Sequence, residues 1–261
     1  MDTLVFQLQA PLSSWGEPAV GEFRGTAEHS SWSALLGLLG AALGVMRDDE
    51  TTHAALRDSY AFAVGLQQGG SLLRDYHTAQ VPPSTRLKGR PRATRRDELS
   101  VAKADLSTIL STRDYRQNAA SLVAMQVRET GAPPHSLAEV AAALRSPRFV
   151  LYLGRKACAP AAPLWPQVVD ADSALAAFTQ YASLYETART PAQTGRRTDS
   201  KSGTALLEPM PPVTRVYCDE HIVAGADVLL TTRRKDRLIR RQGWQFGDRD
   251  ERVAFITPSE V

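Results

Sequence analysis

Apolar and polar residues alternate in several short segments of this chain, and that pattern limits the possible fold more than any other feature. The alternation covers residues 2–9, 60–66, 72–78 and 121–127. A period of two places successive side chains on opposite faces of a β-strand. The Gly69-Gly70 pair between the second and third segments favours a tight turn, so we expect an antiparallel sheet.

Two helices are predicted between these strands. Residues 33–46 combine an apolar face with three glycines, which indicates close backbone contact with a sheet. Ser136 and Glu139 match a capping box that starts a helix to about residue 145, and residues 149–153 form a predicted last strand. The order strand–helix–strand–strand–helix–strand is the split βαβ, or ferredoxin-like, topology of an α+β fold.

A polar segment interrupts this order, and the end of the chain is less regular. Residues 79 to about 117 carry prolines, many charges and weak periodicity, which is typical of an insertion. Beyond residue 155 the strand-like segments are short and widely spaced. We therefore predict a ferredoxin-like domain over residues 1–154, with an insertion at about 79–117, and a smaller β-rich region over residues 155–261.

The insertion begins with a basic run that contains no acidic residue. The cations of this run are Arg86, Lys88, Arg90, Arg92, Arg95 and Arg96. Arg74, Tyr76 and His77 lie on the predicted strand that leads into it. Arg and Lys neutralise phosphates, and Tyr or His can stack on an unpaired base, so the pattern favours a nucleic-acid grip. The alternative is a solvated loop beside an ordinary strand.

Composition restricts the class of protein without naming its function. The chain has 261 residues, 43% apolar and 23% charged, which is typical of a globular protein. Only five of its 31 basic residues are Lys, and the planar guanidinium of Arg suits phosphate recognition. Asn118 is the only Asn, however, so codon usage explains much of the Arg excess. The positions of the arginines therefore carry more information than their number.

The small number of cysteines and the lack of a secretory or membrane-spanning pattern set expectations about cofactors and location. Cys158 and Cys218 are too few for a disulfide framework or a zinc site, so we expect no metal and no other cofactor. Residues 2–9 alternate like a strand rather than a secretory signal, and residues 34–46 are too short to span a bilayer. We expect a cytoplasmic protein with no membrane partner.

Four segments together resemble a known family. They are residues 9–16, 35–44, 73–78 and 152–158, with Arg47-Asp48-Asp49 after the second. In this order and spacing they resemble the CasD family, the crRNA 5′-handle subunits of the type I-E CRISPR complex Cascade, over about the first 160 residues. The resemblance implies a ferredoxin-like, RNA-binding member of the repeat-associated mysterious protein (RAMP) superfamily, whose insertion is a thumb-like hairpin.

The resemblance also implies partners and a role. Such a subunit holds the 5′ handle of crRNA and caps the filament of backbone subunits in a ribonucleoprotein complex for antiviral defence. It contacts the backbone subunit and the large subunit that reads the protospacer-adjacent motif, and it meets target DNA only indirectly, through the complex. A separate endoribonuclease cuts the precursor, so the chain is expected to bind RNA without catalysing a reaction.

The residues expected to contact RNA are cations, hydroxyl groups and aromatic rings near the strand ends and in the insertion. They are Arg24, Ser33, Arg74, His77, Arg86, Lys88, Arg90, Arg92, Arg113, Tyr115, Tyr152, Arg155 and Lys156. Other roles are also open: Arg74 and His77 could pair with Asp75 and Glu98 instead of RNA, and the neighbouring Tyr76 could face the core. The basic run from Arg233 to Arg241 could touch RNA or a neighbouring subunit, and it stays unassigned.

Two more alternatives remain open. Trp32 stands where the family usually has a basic residue, so it could stack on a base or pack against the sheet. The second function class is a metal-independent endoribonuclease that processes precursor crRNA, for which His29, His77 and Tyr76 could supply acid and base and Lys88 could stabilise charge. The third function class is a ferredoxin-like domain that binds a different ligand.

Overall fold

A computed structural model describes residues 1–16, 19, 21–91, 93–129, 133–194 and 209–256. Its strands are β1 (Asp2–Ser13), β2 (Phe23–Arg24), β3 (Tyr60–Gln68), β4 (Ser71–Val81), β5 (Ser107–Val127), β6 (Gln167–Asp170), β7 (Arg215–Cys218), β8 (Val228–Arg240) and β9 (Gln245–Phe255). Its helices are α1 (Trp32–Leu43), α2 (Glu50–Ser59), the one-turn α3 (Arg95–Glu98), α4 (Leu137–Arg145) and α5 (Ala174–Thr194). Short 3-10 turns lie at Ser84–Leu87 and Lys103–Asp105.

The strands of the described residues form one sheet in the order β6-β1-β5-β3-β7-β9-β8, with β2 and β4 joined to β5 beside this path. All pairs are antiparallel except β2 with β5. Helices α1 and α2 connect β1 to β3, and α4 lies between β5 and β6. The chain order of β1, β3, β5 and β6 with these helices is that of a split βαβ unit, so the predicted α+β class is confirmed.

Both faces of the sheet are covered. On one face, Leu4 and Phe6 of β1 belong to a buried cluster that includes the apolar sides of α1 and α4. On the other face, the intervening Val5 belongs to a second cluster that includes Phe178 and Tyr181 of α5. Because helices cover both faces in this way, the centre of the sheet is not open to a ligand. Any nucleic acid must bind at the edges, loops or hairpins.

The predicted strand over residues 149–153 is wrong. Leu151 and Leu153 are buried and Val150 is exposed, so the alternation that suggested a strand is present. The backbone, however, bonds elsewhere: the Phe149 N–H donates to the Ala41 carbonyl at the end of α1, and the Ser14 N–H donates to the Leu153 carbonyl. Strand β6 pairs with β1 and takes the expected place.

The predicted insertion is the outer part of a long hairpin. Residues Ser71–Val81 of β4 pair with Ser107–Gln117 of β5, and the irregular tip lies between them. The rest of β5 pairs with β1 and β3, so one strand of 21 residues runs from the core into the hairpin. Residues along both faces of β4 are mostly exposed. We call this ribbon and its tip, residues 71–117, the thumb.

The β-rich C-terminal region continues the same sheet. Strand β7 pairs with β3, and β9 joins β7 to β8. Strand β8 also approaches α1 and α2, because Arg57 donates to the carbonyls of Leu238 and Ile239. The domain boundary near residue 154 stays a prediction. Among the described helices, none combines the length and apolarity needed to cross a membrane.

Candidate nucleic-acid interface

A cleft of about 380 Å³ lies where four parts of the chain meet: the loop after β1, helix α1, the loop at residues 151–155, and the turn between β8 and β9. Four of the predicted RNA-binding residues line it, namely Arg24, Ser33, Tyr152 and Arg155. They come from three separate stretches of sequence. The fold therefore collects them into one site, which we call the α1 cleft.

The small residues of α1 open this cleft. Ser31 caps the helix by accepting a hydrogen bond from the Ala34 N–H, and its hydroxyl lies 3.2 Å from that of Ser33. Ala34 and Gly37 then line the cleft. A Cβ at Gly37 would lie 3.7 Å from a guanidinium nitrogen of Arg241. The glycine pattern predicted contact with a sheet, but the side chain that Gly37 faces at this distance is that of Arg241.

Arg155 is held at the mouth of the cleft by an aromatic ring. Its guanidinium lies 4.6 Å from the ring centroid of Tyr115, at cation–π distance. It also lies 3.4 Å from the backbone carbonyl oxygens of Asp114 and Arg24. Gly154 makes this turn possible, because its φ is +90° and a Cβ there would collide with the Ser14 carbonyl. Three predicted residues, Arg24, Tyr115 and Arg155, are thus neighbours.

Arg74 lies at the base of the thumb and has an acidic partner that the sequence did not indicate. Its guanidinium donates to both carboxylate oxygens of Asp114, at 2.9 and 3.1 Å, and lies 5.4 Å from the ring centroid of Phe23. This hydrogen bond, chiefly, lowers the pKa of Asp114. The proposed pairing of Arg74 with Asp75 or Glu98 is therefore wrong. The Arg74 side chain remains 57% exposed and can still meet a ligand.

The outer thumb presents polar and aromatic side chains to solvent. Tyr76 is 64% exposed, so the suggestion that it faces the core is wrong, and His77 is exposed next to it. Lys88 and Arg90 at the tip are exposed as well, and Arg90 donates to the Ser100 carbonyl. Arg86 pairs with Asp105 at 3.1 Å.

The remaining predicted residues lie apart from the cleft or outside the described residues. Arg113 on β5 is half-buried and sits opposite Asp75 and beside Arg24 of β2. Lys156 is exposed next to Arg155. Arg92 lies outside the described residues.

Two cleft residues, Arg241 and Trp244, were not predicted to be part of a site. They follow the end of β8 and line the cleft opposite α1. Burial, and then the neighbouring charge of Arg47, lower the pKa of Arg241. The sequence did show a basic run ending at Arg241, but only the fold of the turn after β8 decides that Arg241 lines the cleft.

Another member of that basic run, Arg234, belongs to a largely buried charge cluster with His29, Asp236, Arg249 and Glu251. Arg249 donates to both Asp236 and Glu251, at 2.7 and 2.6 Å. Burial opposes the charge on Glu251, but His29 and the two arginines outweigh it and lower its pKa to about 2. His29, Arg234, Asp236 and Glu251 are buried and the Arg249 side chain is 11% exposed, so these charges pair mainly with one another.

Trp32 packs instead of projecting outward. It is 5% exposed, meets Phe62 edge-on at 6.3 Å between ring centroids, and has Arg128 over its face at 4.9 Å. Of the two alternatives for Trp32, packing is confirmed, and its ring is not available to a base in this conformation.

The residues considered for catalysis do not meet. His29 is buried, stacks on Tyr217 and lies 3.2 Å from Glu251. His77 and Tyr76 are exposed on the thumb, where adjacent strand residues point to opposite faces. In the part of the chain that the structure describes, no group of His, Cys, Asp and Glu side chains could hold a metal ion.

Comparisons with known proteins agree with these features. The sequence profile of the family described as CRISPR-associated protein (Cas_Cas5) matches residues 3–244. The chain is 31% identical over 189 residues to the CRISPR system Cascade subunit CasD of Escherichia coli (strain K12), covering 68% of this chain and 76% of that protein.

Two solved structures share the fold. A chain of a CRISPR RNA-guided surveillance complex matches with a TM-score of 0.60 at 23% identity, covering 99% of this chain and 92% of the other. A crystal structure of a Cas protein matches with a TM-score of 0.53 at 20% identity, covering 99% of this chain and 97% of the other. At these sequence identities the structural matches show the fold alone.

Proposed function

We propose, since this chain belongs to the family of CRISPR-associated Cas5 proteins, that it is an RNA-binding subunit of a Cascade surveillance complex and holds the 5′ handle of crRNA. Its E. coli relative is named as a Cascade subunit. The observation that carries the proposal is the α1 cleft beside the thumb. A cation-lined cleft that adjoins an exposed basic hairpin through Arg155 and Tyr115 suits a single strand of RNA.

The partners follow from the same proposal. The subunit caps the filament of backbone subunits and contacts the large subunit that reads the protospacer-adjacent motif, in the cytoplasm and away from any membrane. Target DNA is met through guide pairing, so the protein grips the shape and backbone of the RNA. The coverage of both sheet faces supports binding of RNA at loops and hairpins, because these are the surfaces that stay accessible.

We further propose that binding takes place without cleavage. Removal of the 2′-OH proton and protonation of the leaving oxygen need an acid and a base within hydrogen-bond reach of one phosphate. His29 is engaged with Glu251 inside the protein, and His77 lies on the thumb. Among the described residues, the separation of these two histidines supports RNA binding without an acid–base pair for cleavage.

Arg155→Ala tests the proposed function. We expect this variant to load repeat-derived RNA about 5- to 150-fold more weakly at physiological salt, since a charge-assisted contact contributes about 1–3 kcal/mol. The matched control is Arg189→Ala, on the α5 helix at the other face of the sheet. Equal loading by wild type and Arg155→Ala would refute the site. A discrete, EDTA-resistant cut at the handle boundary would refute binding without cleavage.

A further inference from the structure

The turn between β8 and β9 is fastened against helix α2 in a way that fixes one arginine in the α1 cleft. The backbone N–H groups of Arg241 and Gln242 donate to the two carboxylate oxygens of Glu50, at 3.1 and 2.6 Å. Glu50 is the first residue of α2. The backbone of Arg241 is therefore held in place, and neither of these two hydrogen bonds involves its side chain.

The guanidinium of Arg241 lacks a counter-ion. Among the described residues no carboxylate lies within ion-pair distance of it, and its Nε is buried without a hydrogen-bond partner. Glu50 attracts it, but the oxygens of Glu50 accept from backbone N–H groups. Burial of an unpaired cation costs free energy, and an anion in the cleft would recover it.

Trp244 fixes the position of this cation. Arg241 lies 5.9 Å and Arg47 lies 4.8 Å from the Trp244 ring centroid, within the range of cation–π attraction. Trp244 is 50% exposed, and its backbone φ of +51° belongs to the turn. The Trp244 ring thus lies near two positive charges, of which Arg241 lines the cleft.

The cleft lining also offers an aromatic ring and two more cations. Tyr152 is 40% exposed there, with Arg155 and Arg24 on the same loops. A cleft of about 380 Å³ is at the small end of ligand clefts, which measure about 300–1,000 Å³. In a duplex the bases are stacked inside the helix, so only an unpaired base could enter such a cleft.

We propose that the α1 cleft holds one unpaired nucleotide of RNA, with its phosphate on Arg241 and its base on Tyr152, and that Trp244 positions Arg241. The inference rests on the proposed RNA-binding function and deepens it. It assigns part of the C-terminal basic run to the RNA site, whereas Arg234 and Arg249 of the same hairpin belong to the buried charge cluster.

The test measures binding of a fluorescent eight-nucleotide oligoadenylate to the full-length chain across a range of salt. We expect Arg241→Gln to weaken binding about tenfold and to lower the salt slope by about 0.7, the value for one phosphate contact with a single strand. The matched control is Arg240→Gln, which removes the same charge from the adjacent residue, outside the cleft lining and bonded to Gln242. It should keep the wild-type slope.

Two further variants separate binding from folding and positioning. Gly37→Gln keeps every cation, favours the helix and fills the cleft, so it should weaken single-strand binding without lowering the melting temperature. Trp244→Leu should weaken binding, Trp244→Phe should restore it, and Trp244→Leu combined with Arg241→Gln should be no weaker than Arg241→Gln alone. None of these changes should affect binding of the same probe annealed to its complement.

The outcomes distinguish this inference from the proposed function. Wild-type affinity in both Arg241→Gln and Gly37→Gln, or an equal loss in Arg240→Gln, overturns the cleft assignment. If Arg155→Ala still weakens binding in that case, the RNA-binding function stands and only the single-nucleotide site is lost. If the wild-type chain binds no RNA at any salt concentration, both fail.

Discussion

The two long arginine-rich hairpins of this protein use their charges in opposite ways. In the thumb, between β4 and β5, the cations are largely exposed, and the pair of Arg86 with Asp105 lies at the surface. In the hairpin of β8 and β9, Arg234 and Arg249 are inside the protein with Asp236 and Glu251. Two hairpins that are both rich in arginine thus differ: one exposes its cations, and the other holds its central cations in a charge cluster.

The comparison shows that burial, and not the number of arginines, decides whether the charges of a hairpin are available to a ligand. An exposed ion pair contributes about 0–1 kcal/mol, because water and salt screen it. A buried charge left without its partner is far more costly. Variants in the two hairpins should therefore differ in which property they change: the β8–β9 hairpin should govern stability, and the thumb should govern RNA affinity.

The largest expected effect is that of Asp236→Asn. Asp236 accepts from the Trp32 N–H and from two nitrogens of Arg249, so neutralising it removes one of the two carboxylate partners of this largely buried guanidinium, which keeps its bond to Glu251. We expect the free energy of unfolding to fall by about 3–5 kcal/mol. Urea denaturation measures this. Asp250→Asn, which changes a surface pair with Arg233, is the matched control and should cost less than about 1 kcal/mol. Equal losses would contradict the comparison.

The pH dependence of Glu251→Gln gives a second, smaller effect. The folded pKa of Glu251 is about 2, below its ordinary value of 4.5. The stabilisation by its charge is therefore fully present above about pH 4.5 and is lost as the pH falls toward 2. We expect the difference in unfolding free energy between wild type and Glu251→Gln to be largest near pH 7 and to shrink below pH 4.5. A difference independent of pH would show that Glu251 acts through packing alone.

The smallest effect on stability is expected in the thumb. Replacing Arg86, Lys88 and Arg90 together by Ala should change the free energy of unfolding by less than about 0.5 kcal/mol, since these side chains are exposed. The salt slope of RNA binding should fall by about 2, because each cation that neutralises a phosphate of a single strand contributes about 0.7. Arg86→Lys combined with Arg90→Lys keeps the charge and should keep the slope. A large loss of stability in the Ala variant would show that the thumb is structural.

Much of the fold was predictable because alternation reports local backbone geometry. The segments predicted as strands at residues 2–9, 60–66, 72–78 and 121–127 all lie within strands. Residues 149–153 share the alternation without being a strand, since their backbone bonds go to the end of α1 and to Ser14. Periodicity shows which side chains are buried, but it does not show which backbone partner is nearby.

The candidate site was predictable only in part. Arg24, Ser33, Tyr152 and Arg155 were selected from separate segments, and the fold brings them to one cleft. Their contact with RNA stays a prediction, as does that of the thumb cations. Arg241 was not selected, because a basic run offers no local sign of which member faces a cavity.

The sequence by itself determined the mixed strand–helix order, the basic thumb and the family to which the chain belongs. These depend on local patterns and on motifs in order along the chain. The tertiary structure alone decided which arginines are available. Arg74 meets Asp114, Arg234 meets His29, and Arg241 reaches α1, across 40 to about 200 residues of sequence. Charge pairing depends on distance in space, and only the folded sheet sets that distance.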